Sequence, residues 1–216
     1  MMFEAWGYML PQQDPTDLLI LVNKTNKAPA GPVTLVKPNV QPTRESASEN
    51  IYMRPEAAAA LEALFAGAAE DGMTLYATSG YRSYSTQKAI FERKLDRMSE
   101  KQANLSVAKP GYSEHQTGLA MDIEGETTKG TGLTEAFGES PEGIWAAKHC
   151  AEYGFIIRYP KDKTKITGYI YEPWHLRYVG REAAQEITAL DVTFEEYIAM
   201  VRSDRIQWLQ EETQYD

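Results

Sequence analysis

The chain is poor in the residues that build most metal, redox and nucleic-acid sites. Its 216 residues include three histidines and a single cysteine. Cys150 alone cannot close an internal disulfide, so it fixes no redox compartment. The default for such a residue is a small buried apolar side chain. Basic residues are outnumbered: 22 Lys and Arg stand against 31 Asp and Glu, a formal net charge of −9. A nucleic-acid partner calls for a basic face, so none is expected. No run of 18 or more apolar residues occurs, so no transmembrane helix is expected. The opening Met1-Met2-Phe3-Glu4-Ala5-Trp6 has neither the basic nor the apolar region of a signal peptide.

What remains is ordinary in bulk and unusual in two places. Hydrophobic residues make up 43% and charged residues 25%, as in a soluble globular domain. The length suits one compact unit with a sizeable core. Two of the three histidines fall in short polar segments, Ser113-Glu114-His115-Gln116-Thr117-Gly118-Leu119-Ala120-Met121-Asp122 and Glu172-Pro173-Trp174-His175. A zinc hydrolase needs three protein ligands, an open fourth position and a nearby carboxylate that does not ligate. His115, Asp122 and His175 can supply the ligands, and Glu172 the base. His149, in Ala147-Lys148-His149-Cys150, belongs to no motif and is left as a surface or core histidine.

The spacing has a structural reading. Gly118 permits a sharp turn between His115 and Asp122. From Leu119 to Ile123 the residues alternate like a strand, with Leu119, Met121 and Ile123 on one face and Asp122 on the other. A loop presents His115 and the following strand presents Asp122. Glu172 and His175 are three apart and would oppose each other in a regular strand. Pro173 between them indicates an edge or a distorted segment that brings both to one metal.

The rest of the chain predicts an α+β fold, a small mostly antiparallel sheet flanked by helices, because strands and helices do not alternate as repeated βαβ units. Residues 1–50 read as an irregular N-terminal arm packed on the domain. Within it, Leu18 to Val22 reads as a short strand or a buried segment. Residues 51–216 form the main body. Pro55 opens a helix through Ala69, and Met73 to Thr78 reads as a strand leading into Ser79-Gly80-Tyr81-Arg82. Ser85 caps a second helix running to Met98. Residues 124–139 read as a loop bordering the site, and Pro141 opens a helix ending at Gly154. Phe155 to Tyr159 and Thr167 to Tyr171 pair as a hairpin across Pro160 to Thr164. Helices at about 180–190 and 193–203 close the chain. Trp174 is a packing wall beside the metal.

The pattern S-x-H-x-x-G-x-A-x-D, followed some fifty residues later by E-x-W-H, resembles the VanY-type D-alanyl-D-alanine carboxypeptidases, zinc peptidoglycan-trimming enzymes independent of a serine nucleophile. Ser79-Gly80-Tyr81-Arg82-Ser83-Tyr84-Ser85-Thr86-Gln87 is similar to that family's S-G-Y-R-S-x-x-x-Q element, and Leu21-Val22-Asn23-Lys24 to a segment near the start of its catalytic domain. The resemblance covers residues 18–182, and residues beyond 182 have no counterpart. It implies a Hedgehog/DD-peptidase-like fold and one Zn2+ per chain held by His115, Asp122 and His175. Glu172 is then the catalytic base and Arg82 the oxyanion stabiliser. Ser113 and Gln87 hold the substrate's C-terminal carboxylate. The implied reaction removes D-alanine from D-Ala-D-Ala stem peptides of peptidoglycan. That substrate lies outside the membrane, so action in the bacterial cell envelope and a chain trimmed of its leader are expected. Two alternatives share the metal motifs: an L,D-carboxypeptidase acting on tetrapeptide stems, and a zinc-stabilised binding module without activity, like the Hedgehog signalling domain. Nothing in the sequence sets an oligomeric state.

Overall fold

The computed structural model describes residues 17–212, and their side chains except those of Ser48 and residues 204–212. Its centre is a four-stranded sheet in the order β1-β2-β4-β3, with every neighbouring pair antiparallel. The strands are β1 (Leu75–Ser79), β2 (Ala120–Gly125), β3 (Phe155–Tyr159) and β4 (Glu172–Tyr178). This is the expected α+β class.

One sheet face is apolar. Leu75, Ala77, Met121, Ile123, Phe155 and Leu176 pack in one buried cluster with Leu61 and Leu64 of helix α1 (Pro55–Glu70) and Trp145 of helix α4 (Pro141–His149). In α1 the buried residues Ala57, Ala58, Leu61, Leu64 and Ala68 recur at three- and four-residue spacing, one stripe of a helix. Each large side chain buried there contributes about 1.5–3 kcal/mol relative to exposure. The opposite face carries Asp122, His175 and Arg177. It is closed partly by a second cluster, in which Leu21 and Ile156 meet helices α6 (Arg181–Leu190) and α7 (Phe194–Glu212).

Several elements differ from the sequence reading. Helix α2 (Tyr84–Leu95) is capped by Ser83, whose Oγ accepts from the Thr86 N–H, while Ser85 lies inside the first turn. The helix stops at Leu95 because Ser99 begins a new one, α3 (Glu100–Ser106), through a reciprocal capping box with Gln102. Residues 124–139 are not all loop: β2 runs to Gly125, and 3-10 turns follow at Glu126–Thr128 and Glu135–Glu139. Helix α4 ends at His149, and a separate 3-10 turn, Cys150–Tyr153, completes the segment up to Gly154. The expected strand from Thr167 to Tyr171 is instead a single helical turn, α5 (Thr164–Thr167), followed by a left-handed Gly168. The hairpin partner of β3 begins at Glu172. In Ile170-Tyr171-Glu172-Pro173-Trp174-His175 the apolar and aromatic residues have no clear period, so the pattern does not fix the start of pairing.

Ile20, Leu21 and Val22 are buried but form no strand, so the buried-segment alternative applies. From residue 17 to 54 the ordered features are a 3-10 turn at Glu45–Asn50 and two isolated bridges, Val36 with Met53 and Pro42 with Ala77. The first 16 residues of the expected arm lie outside the described part of the chain.

Gly118 ends the 3-10 turn Glu114–Thr117 at φ 73°, a left-handed conformation. A Cβ there would lie 2.9 Å from Leu35 Cδ2 and 3.2 Å from Arg54 Cγ. Gly118→Ala is therefore expected to destabilise the protein by about 1–3 kcal/mol. A chain of this size should lose about 2–4 °C in Tm per kcal/mol. Thermal denaturation of the metal-free protein checks this, and an unchanged melt would refute it.

Candidate active site

The site is built where β2 crosses β4. Asp122 and His175 are direct partners in that antiparallel pair. His115 reaches them from the 3-10 turn just before β2. The carboxylate of Asp122 bridges the two rings: Oδ1 lies 2.9 Å from His175 Nδ1 and Oδ2 lies 3.4 Å from His115 Nε2. Ligand atoms of all three residues fall within 4.8 Å of one another, and all three side chains are buried. Two imidazole nitrogens and one carboxylate oxygen at this separation are a donor set that fits a tetrahedral divalent metal with one position left open.

The backbone sets which nitrogen of His115 faces inward. His115 Nδ1–H donates to the Gly80 carbonyl at 2.7 Å, which leaves Nε2 as the free donor atom. Gly80 is required here, because a Cβ would lie 2.5 Å from the Tyr52 carbonyl oxygen and 2.9 Å from Met121 Cε. Burial, then the neighbouring Arg82 charge, lowers the His115 pKa to about 4, so the ring is neutral at pH 7. Burial alone would also push His175 down. Hydrogen bonds to Asp122 and Glu114 outweigh it and hold His175 up at about 9. Burial disfavours the Asp122 carboxylate, yet His115 and Arg82 beside it keep its pKa well below the ordinary range. Metal binding at this set must therefore displace the proton that His175 shares with Asp122.

Glu172 approaches the same cleft through a fault in β4. Ile157 of β3 pairs with Leu176, but Tyr159, two residues on, pairs with Glu172, four residues back. Two extra residues on β4 form a bulge there, and Pro173, which lacks an N–H, lies within it. β4 is central in the sheet, but β2 pairs with it only from His175 to Arg177, so Pro173 lies in a distorted segment beyond that pairing. The bulge lets Glu172 and His175, three apart, line one cleft together with His115, Asp122, Trp174, Tyr159 and Tyr169. The cleft measures about 430 Å3. Burial raises the Glu172 carboxyl pKa to about 7, against the opposing pull of His175. A carboxyl titrating near neutrality suits general base work.

Arg82 follows β1 and is pinned by its own backbone, whose N–H donates to the His115 carbonyl at 3.1 Å. Its Nε donates to Ser79 Oγ at 2.9 Å and its Nη2 to Asp122 Oδ2 at 2.5 Å. Ser113 and Gln87 also line the cleft and are buried. Gln87 Nε2 donates to the Ala108 carbonyl at 2.8 Å, which leaves Oε1 buried without a partner. The Tyr169 hydroxyl is likewise buried and unpartnered. Trp174 belongs to the apolar cluster and lines the cleft. His149 is elsewhere, stacked on Trp145 and bonded to Glu152 at 2.7 Å. Cys150 is buried, which drives its thiol pKa up to about 12. Leu133 of the 124–139 segment also lines the cleft.

The sequence reading missed the charged layer beneath the site. Glu114 is buried between Arg158 and Arg177, and its Oε2 lies 3.3 Å from His175 Nε2. A signal existed for Arg177: two residues beyond His175 in a strand, it must share the histidine's face. Glu114 stood next to His115 in the motif and carried no period to mark it. Lys24, noted only within Leu21-Val22-Asn23-Lys24, places its ammonium 3.2 Å from the centre of the Tyr169 ring and 3.1 Å from Asn104 Oδ1. Burial lowers its pKa to about 8.

A buried His–Asp–His set with a neighbouring carboxylate, on a small antiparallel sheet, is an arrangement that a metallopeptidase can use. The family model described as VanY, D-alanyl-D-alanine carboxypeptidase, matches residues 50–181. The chain belongs to the VanY carboxypeptidase family. A relative from Bacillus subtilis (strain 168), YodJ, provisionally named a carboxypeptidase, is 48% identical over 192 residues, 88% of this chain and 70% of the relative. A D-alanyl-D-alanine carboxypeptidase of Enterococcus faecalis (strain ATCC 700802 / V583) is 38% identical over 189 residues, 83% of this chain and 65% of that protein. Among solved structures, the LdcB LD-carboxypeptidase superposes with TM-score 0.81 at 49% identity, covering 87% of this chain and 88% of the other. A variant of the vancomycin-resistance D,D-pentapeptidase VanY in complex with Zn(II) superposes with TM-score 0.69 at 36% identity, covering 83% and 98%.

Because the three candidate ligands are gathered only in the folded chain, zinc is expected to stabilise the metal-free protein. At a free zinc concentration 1,000 times Kd the gain is about 4 kcal/mol, a rise in Tm on the order of 10 °C. Differential scanning fluorimetry with and without zinc measures it. The shift should vanish in His175→Ala, and its persistence there would exclude His175 as a ligand.

Proposed function

We propose that the protein is a zinc-dependent D,D-carboxypeptidase that removes the terminal D-alanine from D-Ala-D-Ala stem peptides of peptidoglycan, acting outside the cytoplasmic membrane. The observation that carries the proposal is the convergence of the His115–Asp122–His175 donor set with Glu172, a buried carboxyl whose pKa lies near neutrality. Family membership and the Zn(II) complex of a relative support it.

One zinc ion per chain would be held by His115, Asp122 and His175, and when bound it activates water and polarises the scissile carbonyl. Glu172 takes the proton from the attacking water and delivers it to the leaving amine as the peptide C–N bond breaks. Arg82 donates to the carbonyl oxygen as negative charge develops there, and the salt link to Asp122 keeps its guanidinium aimed into the cleft. The terminal carboxylate is received by the Ser113 hydroxyl and by the second amide hydrogen of Gln87. The unpaired Gln87 Oε1 can only accept, so it takes the N–H of the terminal residue. Residues 17–50 act as an arm on a single catalytic domain.

A second reading has a specific support. The similarity to the LdcB LD-carboxypeptidase favours cleavage of tetrapeptide stems, whose terminal D-residue follows an L-centre. Release of D-alanine from matched pentapeptide and tetrapeptide stems decides between them. Faster turnover of the pentapeptide is expected, and turnover of the tetrapeptide alone would overturn the D,D assignment.

Two substitutions test the roles. Glu172→Ala should retain zinc and lose about 10²–10⁴-fold in kcat; loss of zinc would make Glu172 a ligand instead. Arg82→Lys should lower kcat by on the order of 10²–10³ with little change in KM, because the interaction is made mainly in the transition state. A raised KM at unchanged kcat would move Arg82 to the substrate carboxylate.

A further inference from the structure

His175 is the one candidate ligand whose outward nitrogen meets a charged side chain. His115 is oriented by the Gly80 carbonyl, a neutral acceptor. Behind His175, Glu114 Oε2 lies 3.3 Å from Nε2. The other oxygen of that carboxylate, Oε1, accepts from Arg158 Nε and Arg177 Nη1, both at 2.7 Å. Neither arginine side chain is exposed at all. Arg158 is held in turn by both oxygens of Glu195, at 2.6 and 2.9 Å. Arg177 Nη2 donates to the carbonyls of Leu18, at 2.9 Å, and Ile20, at 2.8 Å. The Phe194 ring packs against both guanidinium groups, 5.3 and 4.9 Å away. Two arginines and two carboxylates balance, so Glu114 is kept ionised and immobile while one of its oxygens is left over for His175.

We infer that Glu114 is a positioning residue for His175: it fixes the imidazole proton on Nε2 and so presents the Nδ1 lone pair to the metal. Turned over by 180°, the ring would put carbon atoms where Asp122 and Glu114 now meet its nitrogens. An ionised acceptor on Nε2–H penalises that flip and the wrong tautomer, and it makes the opposite nitrogen a stronger donor. The guanidinium pair orients the carboxylate, and the arm residues and α7 orient the guanidinium pair. A metal ligand is thereby referenced to both ends of the described chain.

The inference rests on the zinc reading above, and the test separates the two. Glu114→Gln alone leaves two buried arginines with one carboxylate and risks unfolding. The useful variant is Glu114→Gln/Arg177→Met, which removes one charge of each sign, compared with Arg177→Met alone. After circular dichroism has verified folding, zinc affinity is measured by competition with a chromogenic chelator. The double variant should bind zinc about 10–100-fold more weakly than the single one. Equal affinities would overturn the positioning role while leaving the zinc site intact. If the unaltered protein binds no zinc, the reading beneath both statements fails. An independent readout needs no variant. Long-range 15N–1H spectra of the imidazoles in the zinc-loaded protein should show His175 protonated at Nε2 and metallated at Nδ1, and the reverse arrangement would overturn the inference.

Discussion

Asp122 and His175 face one another across β2 and β4, and most of the molecule can be understood as what that contact demands. Both groups are buried, one an acid and one a base, on a sheet whose other face is ordinary apolar core. A buried charge without partners is strongly unfavourable, so each polar group on this face must find a counterpart. The result is a closed set of opposing charges: Arg82 on Asp122, Glu114 on His175, Arg158 and Arg177 on Glu114, and Glu195 on Arg158. Such a set adds little net stability compared with an apolar core of the same volume. Its effect is geometric, because few arrangements satisfy every member.

Two departures from regular structure make the geometry reachable. Gly118 turns the chain through a left-handed conformation, so that His115 and Asp122 meet from a turn and a strand. The two-residue bulge in β4 rotates Glu172 into the cleft that His175 lines. A perfect strand would have put the acid on the apolar face. At both points an irregular backbone re-aims a side chain, and regular pairing with β4 or β3 follows on the C-terminal side.

How much of this was legible in the sequence follows from how far each signal reaches. Alternation from Leu119 to Ile123 assigned Asp122 to its face because a strand's period is local. Pro55, with the alanine and leucine run after it, marked α1 for the same reason. The metal candidates were visible as rare residues in dense polar motifs. Competing caps were not separable: Ser83 and Ser85 are both good helix starters, and only the fold decides between them. The start of β4 was hidden because aromatic and β-branched residues run unbroken through Tyr169-Ile170-Tyr171, and a turn at Gly168 outweighed their preference for strand. Glu114 and Arg158 carried no signal of a buried role, and for Arg177 the strand period gave the face but not the partners. The long-range hydrogen-bond partners of all three lie 37 to 159 residues away along the chain, from Glu195 against Arg158 to Leu18 against Arg177, and no local period encodes that.

The stretch Gly80-Tyr81-Arg82 is laced to the chain on both sides. Gly80 N–H donates to the Asn50 carbonyl at 2.6 Å and Tyr81 N–H to the Tyr52 carbonyl at 2.7 Å, while Arg82 N–H donates to His115 at 3.1 Å. The carbonyl that orients His115 therefore hangs on residues 50–52. Ile51, between the two acceptors, is fully buried in the apolar core, so a substitution that shifted it would move that carbonyl without touching a residue of the centre. The packing of the apolar layer around Ile51 thereby sets the aim of a ring on the polar face of the sheet.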